Sequence, residues 1–235
     1  MKNCFILLTL GVLSFIGVSC QPSGSGRSVE LNTLTDSAGY AIGILVGENN
    51  KQQIQNAPGG SNVNLEAMVD AFRAAAMGEE GKMTVQQADS IIRIYFESEG
   101  ARQGQLNLEE GNAYLEKNKA QEQIKSTASG LQYEVLQEGN GPKPSAEDRV
   151  RVHYHGTLIN GTVFDSSVER GEPAVFGVNQ VIPGWTEALQ LMPVGSKWKL
   201  YLPASLAYGE RGAGGDIGPN SVLIFEVELL EIVKE

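Results

Sequence analysis

Val181-Ile182-Pro183-Gly184-Trp185 sets two β-branched residues and an indole at the start of a short helix. Proline has a fixed φ and no N–H, which suits a first helical turn, and Thr186-Glu187-Ala188-Leu189 continues the helix until Pro193 and Gly195 stop it. Trp185 and Leu189, four apart, share one face. Spacing alone fits Trp185 either to plain core or to the floor of a pocket, so the surrounding chain has to decide.

On both sides of this helix the apolar pattern has a period of two. Leu131, Tyr133 and Val135 alternate in a first strand, and Gly139-Asn140-Gly141-Pro142 turns the chain. Val150, Val152 and Tyr154 alternate with Arg151, His153 and His155, and Asn160-Gly161 signals a hairpin into Thr162-Val163-Phe164-Asp165. Trp198, Leu200 and Leu202 alternate with Lys197, Lys199 and Tyr201, and Phe225, Val227 and Leu229 share a face of the last strand. The expectation is an α+β domain over residues 130–235, an antiparallel sheet wrapped on one short helix.

Upstream of Ser126-Thr127-Ala128-Ser129-Gly130 the period is 3.6, and residues 29–125 read as an all-α domain with a long connecting helix. Thr35 or Asp36 caps a first helix ending near Gly47-Glu48-Asn49-Asn50. Asn64 caps a second with Leu65, Met68, Val69 and Phe72 on its apolar stripe, and Thr84 with Gln87 makes a capping box for a third. Beyond Glu99 the pattern is polar as far as about Lys125, a connector of about 40 Å at 1.5 Å per residue if wholly helical. Gly100, Gly104 and Gly111 weaken it by about 1 kcal/mol each relative to alanine. Such short amphipathic helices make a thin core, better covered by a second copy of the chain, so a homodimer is expected.

Residues 1–20 differ in kind. Lys2 is their only charge, and Phe5 to Val18 is almost continuously apolar yet short for a membrane span of about 20 residues, which reads as an export signal. Gly17-Val18-Ser19-Cys20 resembles a bacterial lipobox with Gly17 where leucine is preferred, so Cys20 is the expected lipidation site and membrane anchor. Residues 21–28, QPSGSGRS, read as a flexible tether. If Cys4 leaves with the signal, Cys20 has no partner for a disulfide. The formal charge of −10, with 28 acidic against 18 basic residues, argues against nucleic acid as a partner.

Several chemistries lack their residues. There is no nucleophile-elbow serine, no HExxH and no cysteine cluster, and Gly212-Ala213-Gly214-Gly215 reads as a flexible loop because Asp216-Ile217 follows it where a phosphate cradle needs Gly-Lys-Ser/Thr. His153 and His155 share a strand face without an evident third ligand, and a half-exposed sheet explains them more simply than a metal. What remains is a set of aromatics with one carboxylate: Tyr154, Phe164-Asp165, Phe176, Trp185, Tyr208 and Phe225.

Val152-His153-Tyr154, Gly161 through Phe164-Asp165-Ser166-Ser167, Val181 through Trp185, Ala207-Tyr208-Gly209 and Phe225 through Leu230 together resemble the FKBP family of peptidyl-prolyl cis/trans isomerases, in order and spacing over residues 130–233. The helical region resembles the N-terminal domain of the long, dimeric FKBPs of Gram-negative envelopes, whose helices interlock two subunits.

The resemblance implies a pocket walled by Tyr154, Phe164, Phe176, Val181, Ile182 and Phe225 over Trp185 as floor. It implies that the Ile182 N–H and the Tyr208 hydroxyl bond the substrate backbone, that Asp165 sits beside the reacting amide, and that Ile217 closes one side. Many members carry a further aromatic where this chain has Ala174. The implied activity is isomerisation of X-Pro bonds in unfolded or nascent exported polypeptides, without cofactor or metal and inhibited by macrolides such as FK506 and rapamycin. With the export signal, the expected location is the bacterial envelope, periplasm or outer membrane, as a lipoprotein. The rival expectations are a non-catalytic chaperone or scaffold for unfolded chains and a plain structural lipoprotein.

Overall fold

The computed structural model describes residues 29–233. The expected export signal, Cys20 and the tether lie outside the described residues. Three helices come first: α1 (Leu34–Gln55), α2 (Leu65–Ala76) and α3 (Val85–Lys119). Asn64 caps α2 by accepting from the Ala67 N–H, and Thr84 with Gln87 forms a reciprocal capping box at α3.

The start of α1 differs from the expectation. Thr33 takes the place expected of Thr35 or Asp36: its N–H donates to Asp36 Oδ2 at 2.9 Å, and its Oγ1 accepts from the Asp36 N–H at 3.1 Å. The helix also runs past Gly47, because glycine lowers helix propensity without turning the chain. The stop comes after Gln55, where Pro58 precedes Gly59 at φ 72°. No residue of α1 or α2 is buried.

α3 is a single unbroken helix, ending at Lys119 and not near Lys125. Its polar half is more than a spacer. Gly104, Gly111, Leu115 and Asn118 recur at helical spacing, and all four are buried. Leu115 packs with Tyr201, Val222 and Ile224 in a small second core, so Tyr201, expected on the open side of its strand, is covered. The two glycines weaken helix propensity but let the backbone come close, and that packing holds the helix together. At its end the Asn118 amide donates to Gln132 Oε1 at 2.9 Å, and the Gln132 amide donates to Leu115 O at 3.0 Å. These bonds tie the last turns of the helix to Gln132.

The sheet contains the five predicted strands: β2 (Gln132–Gln137), β3 (Arg149–Leu158), β4 (Val163–Ser166), β6 (Lys197–Leu202) and β7 (Leu223–Val233). Two more, β1 (Lys125–Ser126) and β5 (Ala174–Gly177), are too short to show a period. β1 sits at the edge of the expected boundary, with Lys125 in the stretch expected to be helical and Ser126 the first boundary residue. All pairings are antiparallel in the order β1-β2-β6-β7-β3-β4, with β5 also on β3. The β3–β4 hairpin closes at Gly161, whose φ of 87° only glycine adopts cheaply. One-turn α4 (Ser167–Arg170) follows β4, and α5 (Pro183–Leu191) buries Trp185, Ala188 and Leu189 against Val152, Leu200 and Val227. A fully buried side chain the size of Leu189 contributes about 1.5–3 kcal/mol.

Candidate functional site

A cavity of about 650 Å³ opens where β3, β4, β5, the start of α5 and the loop after β6 converge. Its lining includes Tyr154, Phe164, Asp165, Phe176, Val181, Ile182, Trp185, Tyr208, Ile217 and Phe225, so the fold brings together every side chain singled out in the sequence for a pocket. Ala174 sits on β5 opposite Val152 and is absent from that lining.

Trp185 belongs both to the core and to the lining of the cavity. It is only 4% exposed, and three rings stand nearly perpendicular to it: Tyr154 at 5.3 Å and 87°, Phe176 at 5.8 Å and 88°, and Phe225 at 5.2 Å and 81°. Edge-to-face contacts of this kind each add about 0.5–1.5 kcal/mol beyond burial. Phe164 meets Phe225 in the same way at 5.4 Å. Gly156 on β3 makes room for that pair, since a Cβ there would lie 2.7 Å from Phe164 Cζ and 2.9 Å from Phe225 Cε1.

The polar side of the cavity is built on Asp165. The Tyr154 hydroxyl donates to Asp165 Oδ2 at 2.5 Å, and Arg170 donates to Asp165 Oδ1 and, at 2.9 Å, to the Tyr154 hydroxyl oxygen. Arg170 reaches them because Ser166 caps α4, accepting from the Glu169 N–H, and Gly171 ends the turn at φ 77°. Burial pushes the Asp165 carboxyl up, but the hydrogen bonds from Tyr154 and Arg170 and the guanidinium charge outweigh it and hold the group below its ordinary range. Tyr154 moves the other way, raised by burial and by its bond to the carboxylate.

An Arg170→Leu change is therefore expected to raise the Asp165 pKa. Carboxyl carbon NMR titration checks this, and an unmoved titration would contradict the assigned network.

Neither the Ile182 N–H nor the Tyr208 hydroxyl hydrogen-bonds any described residue, and Tyr208 is 42% exposed. The glycine-rich loop is more ordered than expected: Ala213 and Ile217 exchange N–H···O bonds of 2.8 and 3.2 Å across Gly214-Gly215-Asp216. His153 and His155 accept or donate at Ser167 and Ser166, 3.1 and 3.0 Å away. Among the described residues no group of three His, Cys, Asp or Glu side chains could hold a metal.

Sequence reading missed Arg170, Gln180, Ala213, Gly214 and Asp216 on or beside this cavity. Arg170 had a signal, since Ser166 with Glu169 three residues on and Gly171 beyond spells a capped turn. Gln180 had none.

Residues 141–230 match the family described as FKBP-type peptidyl-prolyl cis-trans isomerase, and residues 35–135 match the domain amino terminal to it. The FKBP-type 22 kDa peptidyl-prolyl cis-trans isomerase of Escherichia coli is 50% identical over 205 residues, 86% of this chain and 97% of that one. The outer membrane protein MIP of Legionella longbeachae is 40% identical over 214 residues, 88% of this chain and 89% of that one. The crystal structure of FkpA from Escherichia coli aligns with a TM-score of 0.64 at 31% identity, over 86% of this chain and 98% of that one.

Proposed function

The chain belongs to the FKBP-type peptidyl-prolyl cis-trans isomerases, and from that premise we propose that the cavity over Trp185 is where it turns X-Pro bonds of exported polypeptides. The observation that carries this is the pairing of an aromatic box with a locked Asp165 carboxylate in one cavity.

The barrier to amide rotation is about 18–20 kcal/mol, and uncatalysed X-Pro isomerisation takes tens to hundreds of seconds. Twisting the C–N bond removes its double-bond character and the charge separation that water stabilises. A site that replaces water by aromatic walls therefore favours the twisted amide over the planar one. In this reading the proline ring sits on Trp185 between Tyr154, Phe176 and Phe225, while the Ile182 N–H and the Tyr208 hydroxyl, without partners among the described residues, hold the substrate backbone. Asp165, fixed in place and charge by Tyr154 and Arg170, orders the polar groups near the turning carbonyl. A rate gain of roughly 10⁴ needs only about 5.5 kcal/mol. No bond is made or broken, so neither a nucleophile nor an acid/base pair is required.

Tryptophan fluorescence tests the site. Of the two tryptophans, Trp198 stacks on Tyr133 at 4.4 Å, away from the cavity lining, so Trp185 reports on it. Rapamycin or FK506 is expected to change the emission saturably, and an emission that ignores both would count against the pocket.

Two further features belong to the proposal. One is an envelope location with Cys20 as lipid anchor, supported by the apolar leader and by the outer-membrane relative. The other is a homodimer, since Ile42 on α1, Phe72 on α2 and Ile92 on α3 are each more than half exposed, which leaves apolar faces for a second copy to cover. Phe72→Glu with Ile92→Glu is expected to halve the mass seen by analytical ultracentrifugation. A wild-type chain already sedimenting as a monomer would rule the dimer out.

The same exposed faces favour a second reading, a chaperone that holds unfolded chains without turning them. Assistance to a proline-free client that survives Tyr208→Phe would support it.

A further inference from the structure

The loop from Tyr208 to β7 forms one side of the cavity through Ala213, Asp216 and Ile217, and its far end is tied to α3. Asn107 Nδ2 donates to Pro219 O at 2.7 Å, and Asn220 Nδ2 donates to Gly104 O at 3.2 Å. Helix and loop touch at the helix backbone itself. A Cβ on Gly104 would lie 3.1 Å from Pro219 Cβ, and one on Gly111 would lie 2.7 Å from Val222 Cγ2.

Asn220 ties both ends of the loop. It is the only non-glycine residue with positive φ among the described residues, at 56°, a conformation asparagine tolerates better than most side chains. Its side chain bonds α3, while its N–H donates at 2.8 Å to the carbonyl of Gly209, the neighbour of Tyr208. Ile217 stands two residues before Pro219 and is held to Ala213 by the paired backbone bonds. The bonds of Asp165, Tyr154 and Arg170 run among themselves and not to α3.

We propose that the second half of α3 is a positioning element of the active site, with Asn107, Gly104 and Gly111 holding the 209–222 loop so that Tyr208 and Ile217 meet the substrate in one geometry. The proposal rests on the roles given above to those two residues. A loop released from the helix spreads over many conformations, and a ligand then binds more weakly in proportion to the fraction that is competent. Undocking should therefore weaken substrate and macrolide together, leaving the turnover of bound substrate, which depends on Asp165, in place.

The test uses the chain with all its helices and two variants. Gly111→Leu improves helix propensity while driving the Val222 side chain off the helix. Asn107→Asp keeps size but cannot donate to Pro219 O. For both, KM and the rapamycin Kd are expected to rise in parallel by about five-fold, with kcat within about two-fold of wild type. A merely destabilised protein would lose kcat through its unfolded fraction instead. Gly111→Ala combined with Val222→Ala, which removes the opposing methyls, is expected to move KM back toward wild type relative to Gly111→Ala alone. Wild-type KM and Kd in the folded variants would overturn the proposal. If Gly111→Leu does not fold, Asn107→Asp decides. An inert wild-type chain would overturn the isomerase pocket itself, and the rapamycin Kd series would still read the docking.

Discussion

Trp185→Ala is expected to cost about 3–5 kcal/mol of stability and to abolish macrolide binding, because it empties the centre of the aromatic box. The indole is 4% exposed, and the rings of Tyr154, Phe176 and Phe225 stand nearly perpendicular to it. Truncation leaves a hole that these rings can fill only by abandoning the walls of the cavity. Chemical denaturation of wild type and variant measures the first effect and titration with rapamycin the second. A variant within 1 kcal/mol of wild type would mean that Trp185 is not the packing centre assigned to it. Trp185→Leu, which refills part of the space, separates the two losses: most of the stability should return, while binding stays weak for want of a flat floor.

Asp165→Asn is expected to lower kcat/KM by on the order of 10-fold to 100-fold, the scale at which one oriented electrostatic partner acts in a dry site. Asparagine keeps the size and one acceptor for the Tyr154 hydroxyl but removes the charge and leaves the Arg170 guanidinium without its carboxylate. The pH dependence has a definite sign. The folded carboxyl titrates below its ordinary value, so the contribution of the pair is complete above the unfolded pKa and is lost as pH falls through the lower, folded one. Activity should therefore be level through neutral pH and fall only at acid pH, below the usual carboxylate range. In Arg170→Leu that fall should move to higher pH. An Asp165→Asn enzyme with wild-type kcat/KM would show that the aromatic box works without the charge.

Much of this arrangement was legible in the chain because it is written in local periods. The alternation in Val150-Arg151-Val152-His153-Tyr154 gave β3 and pointed Tyr154 inward, and Pro183 marked the start of α5 and so the depth of Trp185. Asn64 and the Thr84–Gln87 pair gave the starts of α2 and α3. What stayed hidden depends on partners far away in sequence. β1 and β5 have too few residues to show a period, and each forms only against a longer strand. In the sequence Gly104 and Gly111 are only weak points of a polar helix, and their use lies in the close approach of Pro219 and Val222 from far along the chain. Tyr201 looked solvent-facing because the strand alternates, and only the helix packed on that side buries it. Gln180 reaches the cavity from a 3-10 turn that carries no pattern of its own.

The most direct measurement is the cis-to-trans relaxation of a Leu-Pro or Phe-Pro peptide with the chain lacking residues 1–20, compared with its Asp165→Ala and Trp185→Ala variants. Acceleration by the wild type that falls in both variants is the predicted result, and it would assign the activity and the cavity together. A folded wild-type chain that leaves the relaxation at the uncatalysed rate would contradict the isomerase account and leave the holding of unfolded chains as its function.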